Sequence, residues 1–201
     1  TFVSGRKEEE EETVILSHIA AREAIKAERP EIKVGLSLSL HDIQAAEGGE
    51  EKAKDEWRKE FLIYLKAIEK DDFIGVQNYA RSIIGKDGIM NPPASASLTQ
   101  MGYENYPEAL YNVLKRVDRE LKERNLDIPL YVTENGIATS DDEERVVFIE
   151  KALQGLKKAK DEGVDVRGYF HWSLLDNFEW QKGFSMTFGL IAVDRTTMKR
   201  Y

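Results

Sequence analysis

The sequence has 201 residues, of which 41% are hydrophobic and 33% are charged, and its net charge is −8. This is enough apolar material for the core of one large or two small globular domains. The acidic balance argues against nucleic acid or an anionic membrane as partner, and the absence of cysteine excludes disulfides, thiolate metal sites and a cysteine nucleophile.

The first predicted element is a helix that ends near Pro30. The opening residues, TFVSGRKEEEEE, show no basic segment followed by an apolar one, as a secretory signal would, and we expect a cytoplasmic location. The acidic run at 8–12 indicates a solvated helix start, because carboxylates suit the positive end of the helix dipole. Behind it, helical spacing is shared by Val14, Ile15, His18, Ile19, Arg22 and Ile25.

Two strands and a helix are predicted next. IKVGLSLSL at 32–40 alternates as a strand does, and FIGVQNY at 73–79 reads as a second strand. The apolar face of the helix between them comprises Trp57, Phe61, Tyr64, Leu65 and Ile68. The longest apolar runs of the sequence, such as FLIYL at 61–65, fall far short of the roughly 20 residues that cross a bilayer, so we expect no membrane span. Residues 80–104 show no periodicity and predict a long loop, which in compact proteins is usually functional or mobile.

The second half repeats the alternation. A helical stripe is formed by Leu110, Val113, Leu114, Val117 and Leu121. A strand at 129–134 follows, and a last strand is predicted at 166–174. For the helix between them, Ser140 and Glu143 predict a capping box and Gly163 its end. The apolar face predicted for this helix comprises Val146, Ile149, Leu153 and Leu156.

Helices that alternate with strands predict a parallel α/β sheet with right-handed crossovers, and the spacing allows four βα units. This bears on YVTENG at 131–136. Asn-Gly is a strong hairpin signal, but a helix rather than a return strand follows it. Glu134 is therefore predicted at the carboxyl end of a parallel strand, where α/β barrels place their catalytic groups.

YVTENG and WSLLDNFEW at 172–180 resemble two signatures of the family-1 β-glycosidases, which are retaining enzymes built on a (β/α)8 TIM barrel. Three further segments resemble that family in the same order: DDFIGVQNYAR at 71–81, QMGYENYPEAL at 100–110 and GFSMTFGLIAVD at 183–194. The resemblance implies that residues 1–201 form one domain, the C-terminal half of such a barrel with strands five to eight. The Asn-Glu-Pro motif that supplies the family's acid/base glutamate does not occur in the sequence.

The resemblance also implies roles for the residues around Glu134. Glu134 matches the catalytic nucleophile, and Tyr79 matches a tyrosine that hydrogen-bonds to it. Gln77 stands where many members have asparagine and is expected to be a substrate-binding residue, whereas Asn78 stands where many have tyrosine.

The sugar-binding residues are implied in the same way. Trp172 matches an aromatic platform under the sugar ring, and Glu179 with Trp180 matches a pair that hydrogen-bonds to its far hydroxyls. Phe188 matches an aromatic on the wall nearby. Thr187 replaces an arginine of many members, which puts a local salt bridge in doubt.

Two functions remain open at this point. The first is the C-terminal part of a β-glucosidase-like hydrolase that acts on β-glycosides only with an N-terminal half-barrel. The second is a stand-alone half-barrel, natural or engineered, that is catalytically weak and serves as a scaffold or small-molecule binder. Its opened pocket, with Tyr79, Tyr169 and Trp172, would suit a flat apolar molecule such as haem.

The exposed strand edges of a half-barrel predict association with an N-terminal half or with a second copy of the chain. No cofactor is otherwise expected. The histidines share no ligand spacing, so no metal site is expected either.

Overall fold

The computed structural model of the protein describes residues 7–201; residues 1–6, which carry part of the argument on a secretory signal, lie outside this range. The helices are α1 (Glu8–Glu28), α2 (Glu50–Glu60), α3 (Leu65–Ile68), α4 (Ala109–Lys122) and α5 (Asp142–Asp161). The strands are β1 (Gly35–Ser39), β2 (Asp42–Ala45), β3 (Phe73–Gln77), β4 (Arg81–Gly85), β5 (Gly88–Ile89), β6 (Leu130–Asn135) and β7 (Val166–His171). Short 3-10 turns occur at Leu62–Tyr64 and Trp180–Lys182. Within the described range, no helix is long and apolar enough to cross a membrane.

The main sheet has the strand order β1-β3-β6-β7, and each neighbouring pair is parallel. This confirms the predicted parallel α/β architecture. Each predicted strand segment contains one of the four strands, with bounds that differ by a few residues. Because both neighbours of β6 run parallel to it, Asn135 and Gly136 do not close a hairpin.

One face of the sheet is buried and the other is open. Ile74 and Val76 on β3 and Val132 on β6 are fully buried against the helices, as their alternation predicts. On the opposite face, the hydroxyl groups of Ser37 and Thr133 meet in an exposed position. The buried face belongs to a core whose largest fully buried side chains include Trp57, Phe61, Ile68, Ile74, Leu110, Leu114, Leu130 and Phe148.

The predicted structureless segment 80–104 is wrong in part, because it contains β4 and β5. Together with β2 they form a second, three-stranded sheet. β2 pairs with β4 in parallel, and β4 returns antiparallel into β5. Asp87 and Gly88 form the hairpin signal that the loop interpretation overlooked, and Gly88 has the positive φ of 122° that such a turn favours. Strands this short do not produce a readable alternation.

The predicted helix with Trp57 and Phe61 on one face is broken. α2 ends at Glu60, and a 3-10 turn and the short α3 follow. Trp57 and Phe61 are nevertheless buried, with ring centroids 5.1 Å apart. The apolar face was therefore predicted correctly, whereas the continuity of the helix was not.

For α5 the predicted cap is wrong, and the predicted apolar face is right only in part. Its N-cap is Asp141 and not Ser140, because the Asp141 carboxylate accepts hydrogen bonds from the backbone N–H groups of the second and third helical residues. The buried side chains are Arg145, Phe148, Ala152 and Ala159. Of the predicted face, Val146 and Leu153 are exposed, whereas Ile149 and Leu156 are partly buried and pack against the core. Small alanines permit close packing on the inner face, and a count of large apolar residues misses them.

A buried ion pair fixes α1 to the end of the main sheet. The Asp71 side chain is fully buried and lies 2.6 Å from Arg22 Nη1 and 2.8 Å from His18 Nε2. It also accepts a hydrogen bond from the backbone N–H of Leu36 on β1. Burial of this charge is tolerated because several donors surround it.

Candidate active site

A β-bulge in β6 determines where Glu134 points. Along β3 the paired residues are consecutive, whereas along β6 they jump from Val132 to Glu134, so Thr133 is an extra residue. The pairing of β6 with β7 is irregular over the same stretch. A bulge resets the alternation of side chains. Thr133 and Glu134 are accordingly both half-buried, whereas Asn135 is fully buried. Glu134 therefore shares the open face with Thr133.

Two side chains at the end of β3 hold the Glu134 carboxylate. Gln77 Nε2 donates a hydrogen bond to Glu134 Oε1 at 2.8 Å, and Tyr79 Oη donates one to Oε2 at 2.6 Å. Burial, with the hydrogen bond to Glu134, raises the pKa of Tyr79 far above its ordinary value, so the hydroxyl keeps its proton. Each carboxylate oxygen thus has its own neutral donor, and the orientation of the group is fixed.

Phe188 lies behind this arrangement. It is buried, and its ring meets that of Tyr79 at a centroid distance of 5.9 Å and an angle of 76°. An edge-to-face contact of this kind is favourable and restricts the rotation of Tyr79. Phe188 therefore supports the hydroxyl that contacts Glu134.

Glu179 is a second carboxyl group close to the first. It is 5% exposed, and the Trp172 side chain forms a hydrogen bond with it. Burial raises the pKa of Glu179, the Trp172 hydrogen bond opposes the rise, and the charge of Glu134 adds to it. The structure thus brings Glu134, Trp172 and Glu179 into one site.

Trp180 stands apart from these residues. It begins the 3-10 turn that follows Glu179, and its side chain is 69% exposed. Within the described range it therefore lies at the rim of the site, on the solvent side.

Tyr103 belongs to the same neighbourhood, although no role was predicted for it. Burial and the charge of Glu179 raise its pKa, and Tyr103 in turn contributes to the raised pKa of Tyr79. In the sequence, the signal that could have found it is a tyrosine directly after a glycine. The structure shows that Gly102 has a φ of +86°, a conformation that favours glycine. Tyr103 therefore forms part of the wall beside Glu179.

The segment that carries Tyr103 is fixed at several points. Glu104 binds Arg81 through two hydrogen bonds of 2.7 and 2.8 Å, and Arg81 stacks on the Tyr106 ring. Asn105 donates a hydrogen bond to Glu144 on α5 at 2.9 Å. The loop is thus an anchored wall of the site and not a loose connection.

The position of Thr187, where many members have an arginine, has no salt bridge among the described residues. The Thr187 N–H donates to Gln100 Oε1 at 2.9 Å, and its hydroxyl lies 2.9 Å from both that oxygen and the Thr139 carbonyl. Beneath it, the buried Arg145 donates to the carbonyl groups of Ile137, Thr139 and Thr187. These bonds join the segments that follow β6 and β7 and the loop at 100.

The three-ring pocket suggested for haem is not present. Tyr169 turns away from the open face, because its hydroxyl donates to Asn135 Oδ1 at 3.0 Å and its ring packs against the core. It therefore does not share a surface with Tyr79 and Trp172. In the part of the chain that the structure describes, no three His, Asp or Glu side chains lie in an arrangement that could hold a metal ion.

This geometry suits chemistry on a polyhydroxylated substrate. A carboxylate with fixed orientation can attack an electrophilic carbon or stabilise positive charge on it. A buried carboxyl group nearby can accept hydrogen bonds from hydroxyl groups, and an aromatic ring beside it offers an apolar surface.

The comparisons with known protein families and curated proteins agree on one group. A family model described as glycosyl hydrolase family 1 matches residues 67–201. A β-galactosidase of Sulfolobus acidocaldarius is 41% identical over 146 residues, which are 65% of this chain and 28% of that protein. β-Glucosidase A of Thermotoga maritima is 38% identical over 148 residues, which are 66% of this chain and 32% of that protein. The matched part spans about a third of these relatives.

Solved structures give the same result for the fold. The crystal structure of β-glycosidase BGL167 superimposes with a TM-score of 0.85 at 44% identity, over 92% of this chain and 43% of that one. A β-glycosidase from Pyrococcus horikoshii gives a TM-score of 0.81 at 35% identity, over 92% of this chain and 48% of that one. The described chain is therefore about half of a (β/α)8 barrel of this kind.

Proposed function

Because this chain belongs to glycosyl hydrolase family 1, we propose that it carries the nucleophile and the sugar-binding side of a retaining β-glycosidase active site. Its substrate class is β-linked glycosides, of the gluco or galacto type that the names of its relatives indicate. The observation that carries this proposal is the Glu134 carboxylate, held at the end of β6 by Gln77 and Tyr79.

Glu134 attacks the anomeric carbon of the sugar and forms a glycosyl-enzyme, which water then hydrolyses. The attack needs an ionised carboxylate in a fixed position, and two neutral donors supply the fixed position. Tyr79 remains a donor across the working pH range because its pKa is raised.

Trp172 and Glu179 bind the sugar in this proposal. The Trp172 ring supports the C–H face of the ring, and Glu179 accepts hydrogen bonds from its far hydroxyl groups. Trp180 completes the pair from the rim, and Phe188 acts through Tyr79. Because Glu179 is buried beside Glu134, it gains from hydroxyl donors that satisfy its oxygens.

The acid/base group comes from the remaining half of the barrel, on the same polypeptide or on a separate one. The retaining mechanism needs a second carboxyl group about 5–5.5 Å from the nucleophile, to protonate the leaving oxygen and then activate water. The family supplies it from an Asn-Glu-Pro motif, which these 201 residues do not contain.

The second half joins the sheet at its unpaired strand edges and covers its open face. In the described sheet, β1 pairs only with β3 and β7 only with β6, so each has an unpaired edge. Phe170 on β7 is 59% exposed, and Ser37 and Ser39 on β1 are exposed as well. Unpaired edges and exposed aromatic rings favour association with further strands.

Complementation tests the proposal. The chain is mixed with a separately produced N-terminal half-barrel that carries Asn-Glu-Pro, and hydrolysis of cellobiose is measured. We expect turnover for the mixture and little or none for either part, because acid catalysis contributes about 10²–10⁴-fold for such leaving groups. Glu134→Gln should abolish it, whereas Glu108→Gln, at an exposed position before α4, should not. Full turnover by the purified chain alone would show that the acid has been misplaced.

A further inference from the structure

An amide network runs behind the active site, on the buried side of the same strand ends. Asn135 is 1% exposed; its Nδ2 donates to the Asn78 carbonyl at 2.8 Å, and its Oδ1 accepts from the Tyr169 hydroxyl at 3.0 Å. Asn78 is also 1% exposed, and its Nδ2 donates to the carbonyls of Leu40 at 2.9 Å and Ala80 at 3.1 Å. The network therefore joins the carboxyl ends of β1, β3, β6 and β7.

The network lies where the regular ladder fails. Beyond the bulge at Thr133 the pairing of β6 with β3 and β7 is irregular, and the carbonyl groups of Glu134 and Asn135 accept from the backbone N–H groups of Asn78 and Trp172 at 3.0 and 2.9 Å. Buried carbonyl groups without a donor are unfavourable. Just past the ends of β1 and β3, the carbonyl groups of Leu40 and Asn78 receive their donors from the side chains of Asn78 and Asn135.

The amide residues of the network are adjacent in sequence to the active-site residues, and the two sets of side chains point to opposite faces of the sheet. Gln77 and Tyr79 flank Asn78 and point to the open face, and Glu134 precedes Asn135 and does the same. Any slip of the bulge by one residue would exchange the two faces and turn Glu134 into the core. The position of the amide network therefore fixes the direction of the carboxylate.

We infer that Asn135, held by the Tyr169 hydroxyl, is a positioning residue that locks the β6 bulge and thereby aims Glu134. It does not contact the sugar. The inference rests on the proposed function for its kinetic consequence, but the structural consequence stands without it.

The test deletes one hydroxyl group. Tyr169→Phe keeps the ring that packs on the core and removes the donor to Asn135. Asn135→Ala is the second variant, and Tyr111→Phe is the control, because Tyr111 donates to Glu162 on the helical surface. For each chain, labelling by an activated 2-fluoroglycoside is followed by intact mass at several reagent concentrations. The concentration dependence gives the rate constant at saturation and the half-saturating concentration.

We expect Tyr169→Phe and Asn135→Ala to lower the saturating rate constant by about tenfold to 100-fold, with little change in the half-saturating concentration. A displacement of the attacking carboxylate by up to about 1 Å has an effect of this size. Tyr111→Phe should label like the parent. Crystal structures of the variants should show the Tyr79 Oη to Glu134 Oε2 distance lengthened from 2.6 Å.

The two proposals fail in different ways. If the parent is labelled and Tyr169→Phe labels at the same rate with the 2.6 Å contact kept, the positioning role is wrong and the proposed function stands. If the parent is labelled neither alone nor in its mixture with the N-terminal half-barrel, but the variant structures show a displaced Glu134, the proposed function fails and the positioning role stands. A variant that only unfolds at a lower temperature, with the distance and the rate unchanged, also overturns the inference.

Discussion

Tyr79, two residues past the end of β3, donates a 2.6 Å hydrogen bond to Glu134 on the neighbouring parallel strand β6. The bond exists because β3 ends just before Tyr79 and the bulge in β6 turns Glu134 to the same side. Phe188 restricts the Tyr79 ring from behind. The orientation of the Glu134 carboxylate is thus determined by contacts between neighbouring strand ends.

Removal of the Tyr79 hydroxyl should release one oxygen of Glu134. We expect Tyr79→Phe to slow labelling by an activated 2-fluoroglycoside about tenfold to 100-fold, because the carboxylate gains orientational freedom. The free energy of unfolding should fall by only about 0.5–1.5 kcal/mol, the usual net value of one hydrogen bond. Time-resolved intact mass and urea unfolding measure the two effects. An unchanged labelling rate would show that Gln77 alone orients Glu134.

The pH dependence of stability should reveal Glu179. In the folded protein burial raises its pKa above the ordinary 4.5, and the charge of Glu134 adds to the rise. A raised pKa stabilises the fold below the unfolded value, and that contribution is lost as the pH rises through the folded value. Glu179→Gln should therefore melt at a higher temperature than the parent at pH 7, and the difference should shrink as the pH falls towards 4.5. A constant difference at all pH values would contradict this.

The ion pair beneath α1 should be a strong stabilising contact. Asp71→Asn leaves the guanidinium of Arg22 buried without its charge partner, and loss of one partner of a buried pair costs about 3–5 kcal/mol. Urea unfolding followed by circular dichroism should show this loss. The control is Asp161→Asn, which removes an exposed pair with Lys157 and should leave the midpoint nearly unchanged. Equal effects would mean that the burial of Asp71 does not matter.

Arg145 should determine the stability of the loops above the sheet. Arg145→Met removes the donor to three carbonyl groups while it keeps most of the apolar volume. We expect faster proteolysis within 136–141 and 185–190. The free energy of unfolding should fall by roughly 1.5–3 kcal/mol or more, because hydrogen bonds from a charged group are lost. Lys151→Met, at an exposed position of the same helix, is the control. Proteolysis at the parental rate would show that other contacts hold these loops.

The sequence alone predicted the parallel sheet and the position of Glu134 because both depend on local signals. Alternating strand and helix patterns are strong, and YVTENG is a distinctive motif. The stripe from Leu110 to Leu121 was predicted correctly because all of its apolar side chains are large and face the core. The buried face of α5 was predicted only in part: Ile149 and Leu156 pack on the core, but its fully buried residues include alanine and arginine.

Other features depend on tertiary contacts that no short pattern encodes. In the second sheet, β5 has only two residues, and the burial along β4 does not alternate, so neither strand carries a periodic signal. The role of Tyr103 depends on the pair Arg81 and Glu104, which are distant in the sequence and fix the loop. Tyr169 was placed on the wrong face because the shift of register between β6 and β7 cannot be seen in one strand alone.

The central claim is that Glu134 is the nucleophile of a glycosidase site, and one measurement tests it most directly. The chain is reacted with an activated 2-fluoroglycoside, which needs little acid assistance and leaves a slowly hydrolysed adduct, and the digested peptides are analysed by mass spectrometry. The account predicts one adduct, on the peptide that contains residues 131–136, attached to Glu134 and absent from Glu134→Gln. An adduct on Glu179 or elsewhere, or none both in the chain alone and in its mixture with the N-terminal half-barrel, would contradict it.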